Sequence, residues 1–357
     1  MAVEEDPDRK YHPWLQLQRQ WRKQYSTSKE SELAIEGALS PEVMFTAGSE
    51  MSNFVFYIGV SSVDNFYYVL VPDDFLPAIR HCMHMLLVSR SNTLSSSPPL
   101  APRGIGKTYR NVQQVIFKSR SAYFGTISEL RKINSRVRWL MYQIGSCFKL
   151  RKILKARQIV IFSISINMSD TKSITEIAWT MFDTKYQRVL DQHYITANAS
   201  RESITKDSKD VIRPKSSVMV STEQALKLLE KDITWAANRD KSVALLAHDL
   251  PRCLLALKHH GWSRLWTKPD GSVETDMFCL REMYEVMSQK LGHRASLAEI
   301  FKYLELSTSS IGDTGVVAQD MLHAAIEMSK RRIPDFEDFG DIPQFVKENL
   351  QESSSPN

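Results

Sequence analysis

The stretch IVIFSISINMSDTKSITEIAWTMFDTKYQRVLDQHYI, residues 159–195, decides the fold of the larger part of this chain. It contains three runs rich in β-branched and aromatic residues, at 159–166, 174–183 and 188–195, with short polar segments between them. Runs of that length and composition are typical of strands. Because the connections are short, the sequence predicts an antiparallel meander whose first strand is buried.

Downstream of this stretch, helices alternate with short strands. A polar segment at 196–220 is expected to be the longest loop of the domain, and Ser221 with Gln224 forms a capping box that begins a helix. The predicted core face of that helix consists of Ala225, Leu228, Leu229, Ile233 and Ala236. The remaining predicted elements are a strand at 242–248, a helix at 252–260 closed by Gly261, a strand at 273–276, a helix at 277–290, a helix that follows the capping box of Ser296 and Glu299, and a last helix at 315–330. This order predicts an α/β domain with a mixed sheet flanked by helices.

Upstream of the meander, the sequence predicts a smaller α/β region. Residues 1–45 are polar and helix-prone, and two apolar runs at 54–60 and 66–71 flank a polar turn, which predicts a hairpin. A helix at 77–88, a linker rich in Ser and Pro at 89–104 and a strand at 112–117 should follow. The predicted division of the chain is therefore 1–45, 46–100, 101–157, 158–332 and a polar tail at 333–357.

The charge of the chain is concentrated in one segment. Between Ala101 and Gln158, fourteen Lys and Arg residues accompany one acid, Glu129, so this segment carries +13 while the whole chain carries +5 and the rest −8 (5 − 13). Phosphate backbones are the usual partner of such a segment. A solvated basic face is the alternative, and a membrane surface ranks lower because no lipidation motif accompanies the basic residues.

The basic segment is predicted to contain a long amphipathic helix, or two shorter ones, over about 126–156. Its predicted apolar residues are Leu130, Ile133, Val137, Leu140, Met141, Ile144 and Leu150. Its predicted nucleic-acid-binding residues are Arg131, Lys132, Arg136, Arg138, Lys149, Arg151, Lys152, Lys155 and Arg157. Aromatic residues that could stack on bases are interleaved with them: Tyr109, Phe117, Tyr123, Phe124, Trp139 and Tyr142.

Composition narrows the class of protein. Apolar residues make up 43% and charged residues 24% of the chain, which is typical of a globular protein. No apolar run approaches the roughly 18 residues of a membrane span, and the acidic, polar start resembles neither a secretory signal nor a transit peptide. The expected location is therefore the nucleus or the cytoplasm. The four widely spaced cysteines predict reduced thiols, and no cofactor or metal site is expected.

Several local motifs resemble the DEDD 3′–5′ exonuclease branch of the ribonuclease H-like superfamily, across about residues 155–332. Within that branch they are most similar to the fungal "good for full DEAD-box helicase activity" protein family. The motifs are the first strand with Thr175-Glu176-Ile177, LLAHDLPRCLLAL at 245–257, Glu274-Thr275-Asp276, SLAEIFKYLEL at 296–306 and VVAQDMLHAAIEM at 316–328. The resemblance implies a ribonuclease H-like fold in the C-terminal half.

The resemblance also implies which residues should hold metal ions. In these nucleases two divalent ions clamp the scissile phosphate, and several carboxylates from different elements hold the ions. Ser163 and Ser165 stand where the first strand should carry an Asp-x-Glu pair. Cys253 stands at the position of the second aspartate, and Gly315 at the position of the general-base histidine. Only Asp320 remains where a metal ligand belongs.

The expected function is therefore nucleic-acid binding without cleavage. The preferred ligand is single-stranded RNA, within an intracellular ribonucleoprotein assembly, and the assembly follows from the resemblance alone. Each lost carboxylate would remove a repulsion of about 1 to 4 kcal/mol from a phosphate roughly 4 Å away. Two alternatives stay open: a protein-interaction scaffold that uses the old nuclease groove, and a residual metal-dependent exonuclease with Asp249, Asp276 and Asp320 as displaced ligands.

Overall fold

The computed structural model describes most of the chain in separate stretches. These are residues 9–25, 55–90, 108–117, 119–156, 159–168, 173–197, 217–240, 242–261, 275–307 and 314–339, with the single residues 29, 33, 36 and 39. The described residues form two compact units that divide between Trp139 and Leu140, and the second unit extends to Phe339. No helix among the described residues is long and apolar enough to cross a membrane.

The elements follow one another in mixed order. The strands are β1 Tyr11–Pro13, β2 Phe56–Ser61, β3 Tyr67–Pro72, β4 Tyr109–Val115, β5 Val160–Met168, β6 Ile174–Asp183, β7 Arg188–Ala197, β8 Ser217–Val220, β9 Val243–Ala247 and β10 Thr275–Cys279. The α-helices are α1 Trp14–Tyr25, α2 Leu76–Arg90, α3 Arg120–Ala156, α4 Thr222–Asp240, α5 Leu250–His259, α6 Leu280–Met287, α7 Leu297–Leu304 and α8 Thr314–Lys330.

The first unit contains a four-stranded antiparallel sheet in the order β1-β3-β2-β4. Strands β2 and β3 form the predicted hairpin, which is confirmed. Strand β4 begins at Tyr109, earlier than the predicted 112. Gly59 on β2 has no room for a side chain, since a Cβ there would be 2.8 Å from Leu70 Cδ1. A side chain at this position would therefore force Leu70 to move.

The core of the first unit is aromatic. Trp14 and Trp21 of α1 are buried in edge-to-face contact, and Trp14 also contacts the Phe56 ring. Phe117 and Tyr123 pack edge to face and are buried as well. The prediction that these last two rings could stack on bases was therefore wrong, because the apolar spacing that brought them next to basic residues also directs them into the core.

The second unit contains a six-stranded mixed sheet in the order β10-β9-β5-β6-β7-β8. Strands β5, β6 and β7 form the predicted antiparallel meander, and β9 and β10 extend the sheet in parallel from β5. The predicted α/β class with a mixed sheet is confirmed. Strand β8 was missed inside the polar segment at 196–220, because its four residues gain strand structure only by parallel pairing with β7.

Helix α4 covers one face of this sheet. Ala225, Leu229, Ile233 and Ala236 pack against β5 and β6, as predicted, but Leu228 is exposed. Leu226 is buried instead, because the face of α4 that contacts the sheet is rotated toward it. Both predicted capping boxes are present: Ser221 bonds with Gln224, and Ser296 with Glu299. These local signals placed the starts of α4 and α7.

The end of β10 and the start of α6 differ from the predicted positions because of strand pairing. Residues 277–279 were predicted to be helical but belong to β10, because they pair with Leu245–Ala247 of β9, and α6 begins only at Leu280. Glu274 lies outside the described residues. Beyond the predicted domain end at 332, Ile333 and Phe339 are buried. The rest of the predicted tail, 340–357, lies outside the described residues, as do most of the predicted linker and most of 26–45.

Candidate nucleic-acid interface

A pocket of about 470 Å³ lies beside β5 in the second unit. Ser165 on β5, Cys253 on α5 and Asp320 on α8 line it together. These three residues come from elements far apart in the sequence, and each stands where the resemblance puts a metal-binding carboxylate. The structure therefore brings three of the predicted site positions to one place, with one carboxylate, one hydroxyl and one thiol among them.

The other two predicted positions lie elsewhere. Ser163 is on the same strand and face as Ser165 but is fully buried and does not line the pocket. Its hydroxyl has no hydrogen-bond partner among the described residues, and neither has that of Thr180, directly opposite on β6. Gly315 on the first turn of α8 is also outside the pocket lining. The sequence expectation of a groove containing Ser163 was wrong, because Ser163 is fully buried and does not line the pocket.

Asp249 caps and stabilises the N-terminus of α5. Its Oδ1 accepts a hydrogen bond from the Arg252 backbone N–H at 3.3 Å, which caps the helix, and its Oδ2 accepts one from Arg281 Nη1 at 2.6 Å. The charge of Asp249 is thus balanced by Arg281 within the fold. The Arg252 side chain lines the same pocket and has no ion-pair partner among the described residues. Sequence reasoning missed both arginines, since nothing local marks the Arg281–Asp249 pair or the position of Arg252 in the pocket.

Burial keeps the two titratable groups His248 and Cys253 uncharged at neutral pH. It raises the pKa of the Cys253 thiol to about 12, so the thiol stays protonated. It also lowers the pKa of His248, whose Nε2 donates a 3.0 Å hydrogen bond to the Ala295 carbonyl. The histidine is therefore neutral, and Asp320 and Arg252 carry the charges of the pocket besides the paired Asp249.

Of the three displaced metal ligands considered for a residual nuclease, Asp249 and Asp320 line the pocket and Asp276 does not. Asp276 lies outside the pocket lining and forms an ion pair with Lys149 of α3. Glu176 accepts hydrogen bonds from Asn167 Nδ2 at 2.8 Å and from Thr314 Oγ1 at 2.5 Å. Within the part of the chain that the structure describes, no three His, Cys, Asp or Glu residues are close enough together to hold a metal ion.

Helix α3 is continuous, and its first half belongs to the first unit. Arg131, Lys132, Arg136 and Arg138 are all exposed there. Lys132 forms an ion pair with Glu129, and the Arg138 guanidinium lies 5.4 Å from the centre of the Phe66 ring. Arg131 has no ion-pair partner among the described residues. This half therefore presents net positive charge to solvent, as predicted.

The second half of α3 lies in the second unit, and its four described cations fall into two groups. Lys149 is bound to Asp276, and Arg151 donates to the backbone carbonyls of Ser329, at 2.7 Å, and Arg331, next to the end of α8. Lys152 and Lys155 are exposed and have no ion-pair partner among the described residues. Arg157 lies outside the described residues. Two of these cations thus stabilise the unit, and two are open to a ligand.

Exposed aromatic rings accompany the open lysines. Tyr142 is 64% exposed and Phe148 is 47% exposed, although aromatic rings of this size are usually buried. Met141, predicted on the apolar face, is also exposed, because the buried face of this half consists of Leu140, Cys147, Leu150 and Leu154. Phe148 was missed as a candidate, and the signal that could have found it is its position just before Lys149 and outside the buried spacing.

The sequence was also compared with known proteins. No protein-family model matches the chain, and no curated protein is significantly similar to it. The resemblance to the exonuclease branch therefore rests on the local motifs of the sequence alone. The candidate interface consists of the pocket beside β5 and the exposed second half of α3, both in the second unit.

Proposed function

We propose that this protein binds single-stranded nucleic acid, RNA in preference to DNA, without cleaving it. The observation that carries the proposal is the exposed side of the second half of α3, where Lys152 and Lys155 lack ion-pair partners among the described residues and follow the exposed rings of Tyr142 and Phe148 along the helix. Residues 140–156 contain four basic and no acidic side chains. Their charge would therefore attract a phosphate backbone.

Charge and stacking account for two parts of such binding. Lysines that neutralise phosphates release condensed counterions, which makes the affinity fall as salt rises. Exposed aromatic rings stack on unpaired bases and contribute about 1 to 3 kcal/mol per base, whatever the base. A duplex hides the faces of its bases, so the combination of free lysines and exposed rings favours a single strand.

We infer in addition that the second unit is a degenerate ribonuclease H-like domain. The element order on which the resemblance rests, a meander followed by parallel strands and helices, supports this inference, and so does the convergence of Ser165, Cys253 and Asp320 on one pocket. A neutral hydroxyl and a protonated thiol in place of carboxylates leave little charge to hold divalent ions or to repel a strand. An intracellular ribonucleoprotein assembly is the proposed setting, on the resemblance alone.

The test is the binding of a labelled oligouridylate by the full chain, followed by fluorescence anisotropy over a range of salt concentrations. We expect salt-sensitive binding in EDTA, unchanged by Mg²⁺ or Mn²⁺, with intact RNA on a gel and weaker binding of the matching DNA. The double variant Lys152→Gln/Lys155→Gln should lower the slope of log affinity against log salt by about 1.4, since each phosphate contact of a single strand contributes about 0.7.

The matched control is Lys290→Gln/Lys302→Gln, which removes two exposed lysines of the same unit that also lack ion-pair partners among the described residues. Its salt slope should equal that of the unmodified protein. Absence of salt-sensitive binding would contradict the proposal and favour a protein partner for the same surface. Metal-dependent shortening of the RNA would contradict binding without cleavage.

A further inference from the structure

A second aromatic and basic surface lies on the second unit, at the turn between β6 and β7. Tyr186 in this turn is 59% exposed, and Trp235 on α4 is 48% exposed. The Arg239 guanidinium lies 5.0 Å from the centre of the Trp235 ring. Lys185 Nζ and the Arg188 guanidinium lie 5.2 Å and 5.4 Å from the centre of the Tyr186 ring. We call this group of residues the turn patch.

A buried carboxylate connects the two aromatic residues. Asp183, at the end of β6, is 1% exposed, and its Oδ1 accepts hydrogen bonds from the backbone N–H groups of Lys185 at 2.8 Å and Tyr186 at 3.2 Å. Its Oδ2 is 3.0 Å from Arg239 Nη2. The same aspartate therefore shapes the turn under Tyr186 and holds the arginine that lies over Trp235. The turn patch is pre-organised rather than a chance meeting of surface side chains.

The charge of the turn patch is positive. Arg239 is balanced by Asp183 and also by Asp240, whose Oδ2 accepts a hydrogen bond from Arg239 Nε at 2.9 Å. Lys185 and Arg188 are exposed and have no ion-pair partner among the described residues. Two uncompensated cations beside the Tyr186 ring, together with the exposed Trp235 ring, favour an anionic ligand that also presents flat apolar faces, and single-stranded nucleic acid has both properties.

We propose that the turn patch is a second contact site for single-stranded nucleic acid, with bases stacked on Tyr186 and Trp235 and phosphates bound by Lys185 and Arg188. The class of ligand rests on the proposed function, whereas the residues of the turn patch belong neither to α3 nor to the lining of the pocket beside β5. An acidic protein segment is the competing occupant, but it would not need two rings that are open to stacking.

The experiment compares the oligouridylate affinity of the full chain with that of Tyr186→Ala and of Trp235→Ala. Each alanine variant should bind roughly tenfold more weakly, because one stacked base is lost. Tyr186→Phe and Trp235→Phe keep a ring and should bind within about twofold of the unmodified protein. Photo-cross-linking of 5-iodouridine RNA, followed by peptide mapping, should place cross-links on Tyr186 or Trp235.

Charge variants complete the test. Lys185→Gln/Arg188→Gln should lower the salt slope by about 1.4, whereas Lys290→Gln/Lys302→Gln should not change it. If the full chain binds no RNA, the proposed function and the turn patch both fail. If it binds RNA but both alanine variants keep full affinity and no cross-link maps to either residue, the turn patch alone is overturned and is left to a protein partner.

Discussion

The pocket beside β5 and the exposed face of α3 use polar side chains in opposite ways. In the pocket, Asp249 is paired with Arg281, the Cys253 thiol is protonated, and His248 is neutral and bonded to a carbonyl. On α3, Lys152 and Lys155 have no partner among the described residues. The resemblance pointed to the pocket, where Arg252 is also exposed without an ion-pair partner among the described residues, but the exposed rings that could stack on bases lie on the helix.

This difference shows that polar side chains of one protein can serve either the fold or a ligand. A charged group that is paired within the fold, as Asp249 is with Arg281, contributes to stability. Binding of an anionic strand depends instead on exposed cations that lack a partner within the fold, such as Lys152 and Lys155. Substitutions of buried or paired groups should therefore change the free energy of unfolding, and substitutions of the unpaired lysines of α3 should change the affinity for RNA.

The largest effect is expected from a carboxylate at the buried serine. Ser163→Asp should lower the free energy of unfolding by about 3 to 5 kcal/mol, because the charge would be buried without a partner. Ser165→Asp, two residues along β5 and open to the pocket, should cost about 1 kcal/mol. Urea denaturation measures both. Equal losses would mean that the two serines do not differ in burial as the structure has them.

The second largest effect is expected at the ion pair between Arg281 and Asp249, at the N-terminus of α5. Arg281→Met should lower the free energy of unfolding by about 2 to 3 kcal/mol, since it leaves Asp249 mostly buried without its counter-charge. Arg252→Met removes a neighbouring arginine that has no ion-pair partner among the described residues and should stay within about 0.5 kcal/mol of the unmodified protein. Denaturation midpoints compare the two. An Arg281→Met variant with an unchanged free energy of unfolding would contradict a stabilising role for the ion pair.

Arg151 and Lys152 are adjacent on α3 and allow a paired cation to be compared with an unpaired one within a single helix. Arg151→Met should cost about 1.5 to 2 kcal/mol of stability, because it removes two charge-assisted bonds to carbonyls next to the end of α8. Lys152→Met should leave stability nearly unchanged but weaken RNA binding and lower the salt slope by about 0.7. Denaturation and anisotropy on the same samples test both. A reversed pattern would remove the distinction between paired and open cations.

The smallest effect concerns alkaline pH. The pKa of Cys253 is about 12 in the folded protein against 9.0 ordinarily, so above pH about 9 the unfolded chain loses a proton that the folded chain keeps. Its contribution to stability is complete below pH about 9 and is lost as the pH rises toward 12. Between pH about 8 and 10, the unmodified protein should therefore lose about 1.4 kcal/mol of stability relative to the Cys253→Ser variant. A constant difference would contradict burial of this thiol.

Much of the fold could be predicted because its signals are local. Strand β6 was predicted at its observed bounds, and the capping boxes at Ser221 and Ser296 marked the starts of α4 and α7. Strand β8 could not be predicted, since its four residues form a strand only beside β7. The exposure of Leu228 and Met141 was also missed, because spacing shows that a helix has an apolar face but not how far that face is rotated toward its neighbour.

The sequence by itself determined the meander, the alternation of helices and strands that follows it and the positive charge of the basic segment. Each of these depends on residue type and short-range spacing. Only the tertiary structure decided that Ser163 is buried while Ser165 reaches the pocket, that Arg151 is engaged while Lys152 is open, and that Asp183 links Tyr186 to Trp235. Contacts of this kind join residues far apart in the chain, and their partners are set by packing, which local spacing does not encode.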